Sequence, residues 1–263
     1  MDPADLVDRT FGPSPLRVCV ENVSDFVRAT GDNPVRWTDA APPGFMAAAM
    51  FAVASDLLRQ LAERSVIHGE QTFKWHRPLQ MESELEVQGT VTRVRERGGV
   101  DFVNFEVEVS DQIGAVAEAS SLFLVSGDFA PGKDAEERQE PAPEYDGNPG
   151  AGQKSASRAD LVRYAAATRD WNPIHWDHEA AVSAGLPGVV AHGLLQAAWA
   201  LAAGSKLRSG NAPLRAARVR FRNPLLPAVP VVVSVDETAG VANVAIADGD
   251  VEYLSARIEL TEQ

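Results

Sequence analysis

Residues Gly193 to Ala203 read GLLQAAWALAA, a run that is apolar on nearly every side. A helix at a protein surface has a single apolar stripe, whereas a helix that is apolar all round is enclosed by protein. Later segments alternate instead: from Leu254 to Leu260 every second residue is apolar, which is the pattern of a strand with one face in a core. The sequence therefore predicts an α+β fold, with an antiparallel sheet wrapped around a long buried helix.

The first half of the chain repeats the order of the second. Asn33-Pro34-Val35-Arg36-Trp37 precedes a small-residue helical run from Gly44 to about Leu61. Asn172-Pro173-Ile174-His175-Trp176 precedes the run from Gly193 to about Leu207 in the same way. Strand-like segments follow in both halves. This self-similarity predicts an internal duplication, with one buried helix in each copy.

A break in composition separates the two copies. Residues Gly127 to Ser155 hold five Gly, four Pro and seven acidic residues, with almost no large apolar side chain. Such a segment cannot bury a core and is typical of a solvated linker. We therefore expect an N-terminal domain over 1–126, a linker over 127–155 and a C-terminal domain over 156–263.

Charge and cysteine content exclude several classes of protein. The 24 Lys and Arg against 37 Asp and Glu give a net charge of −13, which repels nucleic acid and anionic membranes. The single cysteine, Cys19, cannot close an intrachain disulfide, and no Cys/His cluster has zinc-site spacing. The N-terminus is acidic, and no apolar run approaches the roughly 18 residues of a membrane span. We expect a cytoplasmic protein with no structural metal.

The residues with the clearest chemical pattern precede the second buried helix. A helix over Asp160 to Thr168 must end before Pro173, because proline forces its predecessor out of the helical region. Asp170 and His175 then lie on one bent loop, where a carboxylate and an imidazole can hold a water molecule between them. Asn172 can brace this loop or the water with its amide. These residues predict a general acid and base pair.

The start of the buried helix offers a second group. Backbone N–H groups in the first turn of a helix have no partner within the helix and lie at the positive end of its dipole. The N–H of Gly193 can therefore donate to a developing oxyanion. A dyad with an oxyanion donor, and with no serine or cysteine nucleophile beside it, suits proton transfer at the carbon next to an activated carbonyl.

The segment resembles the hydratase motif of the MaoC-like, (R)-specific enoyl-CoA hydratase family, which has the hot-dog fold. Asp170, Asn172-Pro173, His175, the turn Gly185 to Gly188 and Ala191-His192-Gly193 carry the resemblance. It implies that the dyad adds water to a trans-2-enoyl thioester to give a (3R)-3-hydroxyacyl thioester, or catalyses the reverse. It also implies that Gly193 polarises the thioester carbonyl.

The first half resembles the degenerate N-terminal hot dog of two-domain family members, through His68 to Gln71 and His76-Arg77-Pro78. Its position for His175 is occupied by Arg36, which stays protonated and cannot act as a base. The resemblance therefore implies a double hot dog with one active site. The inactive half is free to accommodate a long or bulky acyl group.

Local charge qualifies the exclusion of anionic partners. Residues Ala180 to Val235 contain no acid and six bases, so this stretch is +6. Four of the bases are candidate contacts for CoA phosphates or for an acidic acyl carrier protein: Lys206, Arg218, Arg220 and Arg222. The alternative is a solvated strand face whose arginines pair with acids from elsewhere.

Two other functions remain open. The chain could be a hot-dog thioesterase, or a non-catalytic subunit that binds acyl thioesters beside an active partner. Hydration moves only water and protons, so we expect neither an organic cofactor nor a metal. The expected partners are acyl-CoA or acyl carrier protein, and the expected state is a homodimer or a pseudo-dimeric monomer.

Overall fold

The computed structural model describes residues 1–127 and 152–262, so the predicted linker lies almost entirely outside the described residues. The described residues form one antiparallel sheet. Its strands are β1 (Thr10–Val18), β2 (Ser65–Trp75), β3 (Ser83–Arg97), β4 (Val100–Asp111), β5 (Gly114–Ser126), β6 (Gln153–Lys154), β7 (Leu214–Phe221), β8 (Val231–Thr238), β9 (Val241–Asp248) and β10 (Val251–Leu260).

The α-helices follow the duplicated order of the sequence. They are α1 (Val20–Thr30) and α2 (Met46–Gln60) in the first half, and α3 (Arg158–Thr168), α4 (His178–Ser183) and α5 (Gly193–Ser205) in the second. None of the helices in the described ranges is both long and apolar enough to cross a bilayer. Helix α2 begins later than expected, because Pro43–Phe45 forms a 3₁₀ turn before it.

The strand order is a palindrome. It reads β1-β3-β4-β5-β2-β7-β10-β9-β8-β6, so each half contributes its strands in the mirrored sequence of the other. The halves meet at the centre, where β2 pairs with β7 and Glu70 lies opposite Arg220. One continuous sheet made of two equivalent halves confirms the predicted double hot dog.

Helices α2 and α5 lie in the core, in agreement with the prediction of one buried helix in each copy. Helix α5 packs against β7, β8, β9 and β10, and α2 packs against β1 and β3. Leu195 and Ala200 of α5 and Met50 of α2 have no exposed surface. Full burial of a side chain such as Leu195 contributes about 1.5 to 3 kcal/mol. Helix α1 packs against α3 and so joins the two halves on the helical side.

Candidate active site

The loop after α3 brings the predicted site residues together. Helix α3 ends at Arg169, whose φ of 66° turns the chain away from the helix axis. Asn172 then caps the 3₁₀ turn Pro173–His175, because its Oδ1 accepts from the N–H of Ile174 at 3.5 Å. Asp170, Asn172 and His175 all line the same pocket. Asn172 therefore braces the loop, which is one of the two roles expected for it.

Asp170 and His175 face each other across a short gap. The distance from Asp170 Oδ2 to His175 Nε2 is 4.0 Å, which is too long for a direct hydrogen bond and close to the span of one bridging water. Both residues are buried, with 5% and 8% of their surface exposed. The other carboxylate oxygen of Asp170 accepts from the backbone N–H of Asn172 at 3.4 Å. The carboxylate is thereby oriented with one oxygen towards the imidazole.

Hydrogen bonding fixes which nitrogen of His175 faces the gap. Nδ1 lies 2.9 Å from the carbonyl oxygen of Val190, and a carbonyl can only accept, so Nδ1 carries the proton. In the neutral ring Nε2 then holds the lone pair that faces Asp170. The ring of His192 stacks on that of His175 at 3.8 Å, and His192 Nε2 lies 3.2 Å from the backbone oxygen of Asp170.

Burial shifts the pKa values of Asp170 and His175 in opposite directions. It raises the pKa of Asp170 to about 7, although the hydrogen bond from Asn172 acts against this. It lowers the pKa of His175 to about 4, although the hydrogen bond to Val190 acts against this. Near neutral pH the imidazole is therefore uncharged, and its Nε2 lone pair is available to accept a proton.

The dyad opens into a pocket of about 370 Å³ that both halves line. Gly193, the first residue of α5, lies in its wall, where a Cβ would come within 2.9 Å of the Phe221 ring. A larger residue at this position would require the Phe221 ring to shift. The N–H of Gly193 lies in the unpaired first turn of the helix. Apolar side chains of the first half extend the pocket: Phe51, Leu58, Val66, Ile67, Phe123 and Leu124.

The four basic residues predicted to contact the carrier lie in different parts of the structure. Arg222 lies on the pocket wall and bonds Ser255 and Glu252. Arg218 and Arg220 instead share the carboxylate of Glu70, at 2.8 and 3.1 Å, on the exposed face of the sheet. This pairing matches the alternative considered from the sequence, that of a strand face paired with distant acids.

Lys206 lies apart from the pocket. Lys206 caps the C-terminal end of α5, whereas the pocket lies at the N-terminal end. Thirteen residues at ~1.5 Å of rise place the two ends about 20 Å apart. The structure therefore does not bring Lys206 to the pocket.

The equivalent loop of the first half has a structural role. Asn33 caps the 3₁₀ turn Pro34–Arg36, as Asn172 caps its counterpart. Arg36 stacks over Trp37 and donates through Nη2 to the carbonyl oxygen of Arg208 at 2.8 Å. Its guanidinium thus joins the first half to the end of α5 and offers no base.

Asp170, His175 and His192 have one potential metal-binding atom each within 4.8 Å of one another. The two imidazoles are stacked at 3.8 Å with 25° between their planes. Because a ligating lone pair lies in the plane of its ring, two stacked rings do not bring their lone pairs onto one nearby centre. The three residues therefore fit a metal poorly. The absence of a metal from the chemistry stays a prediction.

Two residues beside the dyad were not selected from the sequence. Val190 contributes through its backbone carbonyl, which no side-chain pattern reveals. Gln196 lies on the pocket wall with only 3% of its surface exposed. It is the one amide within the apolar GLLQAAWALAA run, and this contrast could have identified it as a candidate site residue.

Both halves of the chain are similar to known protein families. Residues 140–255 match the MaoC like domain, and residues 6–119 match the FAS1-like, dehydratase domain region. A UPF0336 protein of Streptomyces avermitilis is 32% identical over 138 residues, which cover 46% of this chain and 91% of that protein. The peroxisomal multifunctional enzyme type 2 of Mus musculus is 26% identical over 165 residues, covering 61% of this chain and 22% of that enzyme.

A solved structure is similar over almost the whole chain. The crystal structure of HtdX from Mycobacterium tuberculosis has a TM-score of 0.75 and 25% identity, and the match covers 95% of this chain and 98% of HtdX. The similarity therefore includes both halves. The chain belongs to the MaoC-like dehydratase family of hot-dog hydratases and dehydratases, as a double hot dog with a FAS1-like dehydratase region in its first half and a MaoC-like domain in its second.

Proposed function

We propose that the protein catalyses (3R)-specific hydration of trans-2-enoyl thioesters, or the reverse dehydration of (3R)-3-hydroxyacyl thioesters. The observation that carries the proposal is the 4.0 Å gap between Asp170 Oδ2 and the lone-pair nitrogen of His175, in the wall of a pocket lined mainly by apolar residues. The gap accommodates one water molecule, which is the second substrate of hydration.

The dyad supplies the proton transfers. As the water oxygen bonds to C3 of the enoyl group, the dyad takes a proton from the water, and the electron pair of the double bond moves towards the thioester carbonyl. The resulting enolate takes a proton at C2 from the dyad. One C–O bond and one C–H bond replace the π bond, and no electrons are exchanged with a cofactor. The raised pKa of Asp170 suits a group that must both accept and return a proton near neutral pH.

Gly193 supplies stabilisation of the enolate. Its N–H lies at the N-terminal end of α5, and the positive end of the helix dipole faces the pocket there. Negative charge develops on the thioester oxygen only as the reaction proceeds, so a donor fixed at this position favours the transition state over the substrate.

The first half provides room for the acyl chain. The apolar side chains that it contributes come from α2, β2 and β5 and lie beyond the dyad. With Arg36 bonded to the end of α5, the first half has no second dyad that would compete for this space. The substrate of the proposal is therefore a medium, long or bulky acyl group on CoA or on acyl carrier protein, with Arg222 at the pocket wall near the carrier.

One assay tests the proposal. The purified protein is mixed with crotonyl-CoA and with a longer trans-2-enoyl-CoA, and loss of enoyl absorbance and release of free thiol are both followed. Hydration without thiol release, with a 3R product on chiral chromatography, is expected. Thiol release would favour a thioesterase, and no reaction with a broad panel of acyl groups would favour a non-catalytic binding subunit.

A further inference from the structure

Gln196 is a buried amide in an otherwise apolar part of α5. The helix is apolar from Gly193 to Gly204 except at this residue, which has 3% of its surface exposed. A buried amide without a hydrogen bond costs about 1 to 3 kcal/mol, so a polar residue here needs a partner or a function.

The described part of the chain provides no partner for it. The Oε1 atom of Gln196 is buried without a hydrogen-bond donor, and its side-chain nitrogen has no acceptor among the described residues. The residue nevertheless lies on the wall of the pocket that Asp170 and His175 also line. Its Oε1 has almost no accessible surface, whereas the unpaired side-chain nitrogen is not fully buried. An acceptor atom on a ligand in this pocket is therefore the natural partner for the side-chain N–H.

The helix geometry decides which part of a ligand the amide reaches. Gln196 follows Gly193 by three residues, so both lie on the same face of α5. Side chains on a helix lean towards its N-terminus, which directs the Gln196 amide back over the turn that begins at Gly193. The amide and the Gly193 N–H are therefore aimed at the same part of the pocket.

We propose that Gln196 is a second oxyanion donor, whose side-chain N–H bonds the thioester carbonyl oxygen together with the N–H of Gly193. The inference rests on the proposed function, because it names a residue acting on the same substrate. It makes Gln196 a catalytic residue, since the amide contacts the atom on which negative charge develops.

A merely structural role has a different signature. His192 Nδ1 is also buried without a partner, four residues before Gln196, so a small side-chain movement could pair the two. Loss of such a contact would lower the melting temperature. It would not selectively remove transition-state stabilisation, so kinetic and spectroscopic measurements distinguish the two roles.

The kinetic test compares Gln196→Met with Gln60→Met. Methionine keeps the length of the side chain and removes the amide. Gln60 is a matched control, because its Oε1 also lacks a partner but it lies at the end of α2 and outside the pocket wall. For Gln196→Met we expect kcat to fall by about 10- to 1,000-fold with KM little changed. We expect Gln60→Met to have the kinetics of the wild type.

The spectroscopic test removes turnover. In an Asp170→Asn background, a bound trans-2-enoyl-CoA stays unreacted, and polarisation of its carbonyl shifts the enoyl absorbance to longer wavelength. Adding Gln196→Met should reduce this shift while the melting temperature stays within a few degrees. An unchanged kcat and an unchanged absorbance shift in an otherwise active enzyme would overturn the inference alone. A wild-type protein that neither hydrates nor shifts the absorbance of any enoyl thioester would contradict the proposed function as well.

Discussion

The Nδ1 atom of His175 lies 2.9 Å from the carbonyl oxygen of Val190, so the nitrogen facing Asp170 is the one that carries the lone pair. Val190 belongs to the loop that leads into α5, and the same loop ends at Gly193. One loop thus fixes the tautomer of the proposed base and leads into the proposed oxyanion donor.

Replacement of His175 should abolish activity without unfolding the protein. His175→Ala removes the lone pair that receives the water proton, and we expect hydration of crotonyl-CoA to fall by about 100- to 10,000-fold. His76→Ala is the matched control: His76 bonds Glu118 in the first half, away from the dyad. Equal loss in both variants, or full activity of folded His175→Ala, would contradict the assignment.

Replacement of Asp170 should change stability with a defined pH dependence. Folding raises the pKa of Asp170 from 3.8 to about 7. The contribution of this group to stability is therefore complete below pH 3.8, and it is lost as the pH rises through 7. At about 1.4 kcal/mol per pH unit, ionised Asp170 costs up to about 4 kcal/mol at pH 8. Asp170→Asn should therefore be more stable than the wild type at pH 8, with the advantage disappearing towards pH 4 in urea unfolding.

Asp111 serves as the control, because its replacement should change the free energy of unfolding in the opposite direction. The hydrogen bond from Arg77 lowers the pKa of Asp111 to about 2. The contribution of Asp111 to stability is present above its pKa in the unfolded chain, and it is lost as the pH falls through its pKa in the folded protein. Asp111→Asn should therefore destabilise the protein at neutral pH. A destabilised Asp170→Asn at pH 8 would show that the carboxylate is stabilised by its surroundings.

Arg36→Ala should separate structure from catalysis. The side chain bonds the carbonyl oxygens of Arg208 and Gly210, so its loss should lower the free energy of unfolding by about 1 to 2 kcal/mol. Hydration activity measured below the melting temperature should be unchanged. A loss as large as that of Asp170→Asn would mean that the first half takes part in the chemistry.

Leu58→Trp should shorten the accepted acyl chain. Leu58 lines the pocket from α2, and a larger ring there fills space beyond the dyad. We expect kcat/KM for a ten-carbon enoyl-CoA to fall by about 10- to 100-fold, with crotonyl-CoA little affected. If both substrates lose activity in parallel, the acyl chain does not extend towards the first half.

Arg222→Ala should weaken substrate binding and leave the chemical step intact. Arg222 is the one predicted basic residue on the pocket wall, and its loss should raise KM for an acyl-CoA about fivefold with kcat unchanged. Arg215→Ala is the control and should change neither, because Arg215 lies at the other end of β7, outside the pocket wall, where it pairs with Glu259. An unaltered KM for Arg222→Ala would place the carrier elsewhere.

Local patterns predicted the elements and the reactive loop well. All-round apolarity identified α5, and the proline at position 173 correctly ended α3 and bent the chain between Asp170 and His175. These features depend on neighbours within a few residues, which is why one sequence is enough to read them.

Contacts between the two halves could not be predicted from local sequence patterns. Glu70 pairs with Arg218 across 148 residues, a pairing fixed by the register of β2 on β7 and not by local pattern. The separation of Lys206 from the pocket was equally hidden, because it depends on the length and direction of α5. The role of Val190 was hidden because it rests on a backbone carbonyl.

The palindromic strand order also limits how this sheet can grow. The two strands that would otherwise be open at the centre, β2 and β7, satisfy each other, which leaves β1 and β6 as the outer edges. Strand β1 carries Pro13 and Pro15, which donate no backbone hydrogen bond, and β6 is only two residues long. The β1 edge is therefore a poor template for a strand of another molecule, whereas β6 covers only Val231 and Val232 of β8 among the described residues. Growth of the sheet by a second copy of the chain is thus disfavoured at the β1 edge.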